Sequence, residues 1–148
     1  MASLGCAVVA PFVVLLSVSR YPAQRASERG NLYFAFGANM HDSAFRERRA
    51  MRPLEWRAAR VRGYRLRFNL DGRPKGRAAP ANLCADPESE VWGVLYRITR
   101  RDLVHLDSTE GVPGRRYRHL WVEAEDNDGI PLRAVTHIAD GNEVDLEV

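Results

Sequence analysis

The sequence predicts an α+β domain with a mainly antiparallel, barrel-like sheet and short helices. Three observations carry this. Several short runs rich in aromatic and β-branched residues are bounded by Gly, Pro, Asn and Asp. Two short segments carry helix start and stop signals. Strands and helices do not alternate regularly, as a doubly wound parallel sheet would require. The chain has 148 residues, enough for one hydrophobic core and not for two. An apolar fraction of 45% is ordinary for a globular chain and argues against disorder.

Taken in order, residues 32–36 form an aromatic run that ends at Gly37, the profile of a buried strand entering a turn. Asp42 or Ser43 can cap a short helix through Arg49, with Pro53 beyond its end. Residues 60–69 read as a strand with Val61, Leu66 and Phe68 as its apolar members, and 71–76 as a loop. A small-residue strand follows at 79–85, where Cys84 reads as a buried filler. Residues 90–98 are the clearest strand; Gly93 within it marks a bulge or a close backbone approach. Thr99, with Asp102 three residues on, starts a second helix that buries Leu103 and Leu106 and stops at Gly111. Residues 117–124 and 132–138 pair as a hairpin about the Asn127-Asp128-Gly129 turn.

The first 31 residues differ from the rest. Residues 4–18 are apolar and interrupted by Pro11, too short for a comfortable membrane span. They resemble the apolar core of a secretory signal, with Ser17-Val18-Ser19 as a cleavage candidate, yet no Lys or Arg precedes Arg20. A weak signal or anchor, a buried extension, and residues upstream of the true start all fit, and the last is preferred. Residues 20–30 are polar and read as a linker to a domain spanning 32–148.

Net charge is +3, and Lys75 is the single lysine among 22 basic residues. Arginine forks suit phosphate, so a nucleic-acid partner is considered through residues 46–67. Acidic residues run through the same chain and no aromatic ladder accompanies the arginines, which favours a solvated surface and no nucleic acid. Cys6 and Cys84 make neither a metal spacing nor a disulfide framework, and His41, His105, His119 and His137 show no ligand spacing, so no metal is expected.

Three stretches stand in a telling order: Tyr33-Phe34-Ala35-Phe36-Gly37-Ala38-Asn39-Met40, then Glu90-Val91-Trp92-Gly93-Val94-Leu95-Tyr96, then Leu106-Asp107-Ser108-Thr109-Glu110-Gly111-Val112 followed by Tyr117. The first resembles the Tyr-Phe-Ala-Tyr-Gly-Ser-Asn-Leu motif of the γ-glutamyl cyclotransferases, also called AIG2-like. The second resembles that family's central strand and the third its Leu-Asp-x-x-Glu-Gly segment. The resemblance covers roughly residues 32–138. It implies a γ-glutamyl cyclotransferase-like fold and a small-molecule γ-glutamyl substrate, cyclised to 5-oxoproline without cofactor or metal. It also implies that Glu110 is the catalytic acid and base, and that Tyr33, Phe34, Ala35, Phe36, Gly37, Ala38, Asn39 and Tyr117 bind substrate.

Physical chemistry supports those roles. In the last turn of a helix a carboxylate faces the negative end of the dipole, and partial burial acts with it to disfavour the charge. Gly37 permits a turn that aims successive N–H groups at one point, able to hold a carboxylate or an oxyanion. Read without the resemblance, Glu110 is a solvated helix end, the Gly37 loop an ordinary turn, and Tyr33 and Tyr117 core aromatics. Ala38 and Phe36 stand where the family has Ser and Tyr, so two hydroxyls are missing and substrate preference is expected to differ. His137 falls where the family often has Tyr, a position that lines the pocket. Family members continue past the last hairpin with a strand and a helical segment, whereas residues 141–148 here are short and acidic; the domain reads as short at its C-terminus. A cyclotransferase-like fold kept as a binding module is the second reading. The expected compartment is the cytoplasm, with no membrane association unless the N-terminal segment is a signal or anchor. Oligomeric state is not legible.

Overall fold

The computed structural model describes residues 30–74 and 78–144. The apolar segment 4–18, Cys6, nearly all of the proposed linker and Lys75 lie outside the described residues. Five strands, β1 (Asn31–Ala35), β2 (Glu55–Arg67), β3 (Asn82–Ile98), β4 (Tyr117–Asp126) and β5 (Pro131–Ala139), close into a barrel in the order β1-β3-β2-β4-β5. Neighbours pair antiparallel except where β5 meets β1 in parallel at Tyr33↔Val135, the contact that closes the barrel. One α-helix, α1 (Arg100–Glu110), follows β3. The α+β, mainly antiparallel barrel read from the sequence is the fold observed.

Strand alternation divides the core into two layers. Phe34, Val61, Leu95, Val122 and Ile138 point into the barrel and fill it. Tyr33, Ala35, Tyr96 and Val135 point outward and are covered by Phe45, Met51 and Leu106. Both faces of β1 are buried from Tyr33 on, so after Asn31 its sequence is apolar and does not alternate. Phe34 and Leu95 are almost completely buried, worth about 1.5–3 kcal/mol each in transfer from water.

Four expectations need correction. Residues 79–85 and 90–98 are not two strands: β3 runs continuously from Asn82 to Ile98. Its register against β2 jumps from Glu90↔Arg62 to Ala85↔Tyr64, so residues 86–89 bulge opposite Gly63, whose φ is 79°. Pro87 sits in that bulge, where no ladder bond is lost. Asp86 closes it, accepting from the Glu88 N–H and the Ser89 hydroxyl. Of the three apolar residues assigned to the strand at 60–69, Val61 alone joins the interior; Leu66 and Phe68 are exposed, Phe68 beyond the end of β2. Cys84 is only partly buried. The surface of β2 carries arginines paired across strands, Arg60 and Arg62 with Glu125 and Glu90, and Arg57 with Asp126.

The short helix at Ser43–Arg48 winds as a single π-type turn. Asp42 gives no side-chain cap and pairs with Arg46 instead. The widened turn closes with the Arg49 N–H on the Ala44 carbonyl, and Ala50 follows at φ 53°. Among the described residues no helix is long and apolar enough to cross a membrane.

Gly93 confirms a close approach: a Cβ there would lie 2.2 Å from the Ala35 carbonyl oxygen and 2.7 Å from the Phe34 ring. Gly93→Ala is expected to lower stability by at least about 1–3 kcal/mol, the usual cost of overpacking. Thr99→Ala removes the N-cap bond from the Asp102 N–H (3.0 Å) and should cost about 1 kcal/mol. Urea unfolding checks both; an unchanged midpoint for Gly93→Ala would show that the strands can part there at no cost.

Candidate active site

The site lies at the barrel rim, where the loop after β1, the C-terminal end of α1 and the outer faces of β4 and β5 meet. Each approach has a local cause. Past β1 the chain turns at Gly37 into a 3₁₀ turn, Ala38–Met40, closed by the Met40 N–H on the Gly37 carbonyl. The Tyr96 hydroxyl donates to the Asn39 carbonyl at 3.1 Å and ties this turn to β3. Phe45 stacks between Tyr96 and Tyr33, with ring centroids 4.0 and 5.9 Å away. Helix α1 starts at its Thr99 cap, buries Leu106 and stops at Gly111, which takes the left-handed conformation at φ 80°. Glu110 is thereby fixed in the last turn.

Two polar side chains converge on that carboxylate. The Asn39 side-chain amide donates to Glu110 Oε1 at 2.7 Å and to the Tyr33 hydroxyl at 3.0 Å. Arg49 lies 3.1 Å from the same Oε1 and donates to the Thr109 carbonyl at 2.7 Å. Only 11% of the Glu110 side chain is exposed. His105, one turn earlier on α1, bonds the Arg49 carbonyl at 2.9 Å and fastens the arginine's own backbone to the helix.

A cavity of about 120 Å³ opens beside these groups. Of the residues assigned from sequence, Tyr33, Phe36, Gly37, Ala38, Asn39, Glu110 and Tyr117 line it. Phe34 and Ala35 do not: alternation turns Phe34 into the barrel and Ala35 under the helical layer. His137 does line it, as its position suggested. Its Nε2 bonds Asp107 Oδ1 at 2.7 Å, while its buried Nδ1 has no hydrogen-bond partner among the described residues.

Arg49 was missed by the sequence reading. It is one of several arginines in a polar helical segment, and nothing in the spacing shows which turns inward; the π-type turn decides that. Asp107 and His119 were also missed. The histidines lack ligand spacing along the chain, but β4–β5 pairing sets His119 opposite His137, and Asp107 reaches both.

The environment shifts several groups. Burial, reinforced by the Glu110 charge, pushes the Tyr33 phenol well above its ordinary range. The same two causes raise Tyr117. Burial lowers His137 despite its bond to Asp107.

A closed five-strand barrel with few short helices is the fold of a solved γ-glutamyl cyclotransferase, which superposes with a TM-score of 0.62. A model of the family described as "Gamma-glutamyl cyclotransferase, AIG2-like" matches residues 33–147, and the chain belongs to that family. It is 29% identical over 104 residues to a γ-glutamylcyclotransferase of Bos taurus, covering 66% of this chain and 53% of that protein. The human γ-glutamylcyclotransferase is 28% identical over 108 residues, with 69% and 55% covered. The chain therefore spans about half the length of these curated relatives. Among solved structures, YkqA of Bacillus subtilis superposes with a TM-score of 0.65 at 27% identity, over 84% of this chain and 46% of that one.

A phenol that ionises later in the fold than in the unfolded chain removes stability as pH rises above the ordinary phenol value, about 10. The fold should therefore weaken above that pH, and Tyr33→Phe should weaken less steeply than wild type. Urea midpoints measured between about pH 9 and 11, one unit either side of the ordinary phenol value, check this. Parallel slopes for the two proteins would place the titrating group elsewhere.

Proposed function

We propose that this domain cyclises a γ-glutamyl amino acid or amine to 5-oxoproline and releases the free amino acid or amine, with Glu110 as general base and then general acid. The observation that carries this reading is the nearly buried Glu110 carboxylate at the cavity, oriented through Oε1 by Asn39 and Arg49. Membership of a family whose relatives are named for the reaction supports it.

The substrate carries its own nucleophile. Its α-amine attacks its γ-carbonyl carbon, so what the protein supplies is orientation and proton movement. The α-ammonium cannot attack until it loses a proton, and Oε2 of Glu110 is the oxygen left to take it. As the new C–N bond forms, charge collects on the carbonyl oxygen. The old C–N bond breaks once the leaving nitrogen is protonated. Two protons pass from the attacking to the leaving nitrogen, carried in turn by Glu110, which ends as the carboxylate it began as. In this reading the N–H groups of the Gly37–Asn39 turn hold the substrate carboxylate or the oxyanion. Tyr33 and Tyr117 wall the glutamyl portion. Arg49 fixes the carboxylate and brings positive charge to a pocket whose proposed guest carries one or two carboxylates beside its α-ammonium.

The test is 5-oxoproline release from a panel of γ-glutamyl dipeptides and amines. Glu110→Gln keeps the shape and loses the proton acceptor, and should cut the rate by about a hundredfold or more. Undiminished turnover in that variant would refute the role of Glu110. No release by folded wild-type protein would instead point to a binding module.

A further inference from the structure

On the outer face of the barrel, just beyond the end of the pocket, three elements aim ligand atoms at one point. His119 of β4 and His137 of β5 are directly opposed in the ladder. Each places its Nε2 2.7 Å from the same oxygen, Asp107 Oδ1, presented by α1. The ligand atoms of all three lie within 4.8 Å of one another. We infer that Asp107, His119 and His137 form a binding site for a divalent transition-metal ion, of the imidazole-and-carboxylate class that zinc occupies.

Donor type, direction and access all fit. Two imidazoles and one carboxylate are a set that first-row metals from iron to zinc accept, with remaining positions left to water. Bonds of about 2.0–2.1 Å in tetrahedral arrangement would hold the donors about 3.3 Å apart. Each contact must therefore lengthen by about 0.6 Å, within reach of a carboxylate rotation. The His119 side is open, its side chain 35% exposed, so an ion can enter from solvent. Glu110 adds negative charge close to His137, and Arg49 is committed to Glu110 and Thr109.

Metal-free, both Nε2 atoms must carry protons to bond Asp107. With metal on Nε2, a neutral imidazole carries its proton on Nδ1. For His137 no bond at Nδ1 has to break, because Nδ1 has no partner among the described residues, and the ion replaces the Nε2 bond to Asp107. An ion here would also clip α1 to the sheet three residues before Glu110, using no residue assigned to the chemistry except the pocket-lining His137.

The experiment is titration of the full chain with zinc(II) against a chromophoric chelator, repeated with cobalt(II) to read its visible d–d bands. One equivalent is expected to bind, and zinc should raise the Tm of the wild type by linkage. His119→Gln, a partly exposed position whose change leaves the fold intact, should weaken binding by at least about tenfold and abolish the Tm shift, since even residues supporting metal ligands cost that much. Asp107→Asn should do the same, whereas the exposed His41→Gln should bind as wild type does. No stoichiometric binding, or binding undiminished in His119→Gln, would overturn the inference.

Discussion

The site depends on one hydrogen bond, from the Asn39 amide to the Glu110 carboxylate at 2.7 Å. It joins groups 71 residues apart, one on the turn after β1 and the other at the end of α1. Charge-assisted bonds of this kind contribute about 1.5–3 kcal/mol, and here the bond also sets position. The same amide nitrogen donates to Tyr33, and Tyr33 is packed through Phe45 to Tyr96. Tyr96 closes the circuit by holding the Asn39 carbonyl. The turn, the carboxylate and the aromatic layer therefore hold one another in place.

That circuit requires a barrel whose outer face is dressed on one side. The interior of Phe34, Leu95, Val61 and their neighbours would form in any closed small barrel. The second layer, Tyr33, Phe45, Tyr96, Leu106 and Val135, fastens α1 and the 43–48 turn to the sheet, and so carries Glu110 and Arg49 to the cavity. The parallel β1–β5 contact lies in the same region, bringing His137 beside Tyr33 with ring centroids 5.5 Å apart. The contact that closes the barrel thus also forms part of the pocket wall.

Much of this was legible in the sequence where a local rule suffices. Thr99 and Gly111 bound α1 because capping chemistry is local, and Asn127 to Gly129 make the hairpin turn for the same reason. Of the two readings of Gly93, a bulge or a close approach, the close approach is the one observed. The strand at 79–85 was wrongly separated from 90–98, because Pro87 ends a strand by local rules while a bulge opposite Gly63 accommodates it here. Glu110 and the 33–39 segment were singled out through motif resemblance, and all of them but Phe34 and Ala35 line the cavity; composition alone would have left Glu110 at a solvated helix end. Arg49, Asp107 and His119 were not found. Their partners lie far off in sequence, and only the π-type turn and the β4–β5 register bring them in.

The central claim concerns which atom of a guest meets Glu110. Its most direct measurement is a crystal structure of the wild-type chain with 5-oxoproline, whose ring nitrogen is the former α-amine. The expected result places that nitrogen within hydrogen-bond reach of Glu110, with the ring carboxylate or carbonyl on the N–H groups of the Gly37 to Asn39 turn. Density for the product outside this cavity, or in it with Glu110 facing another group, would contradict the assignment of Glu110 as the proton carrier.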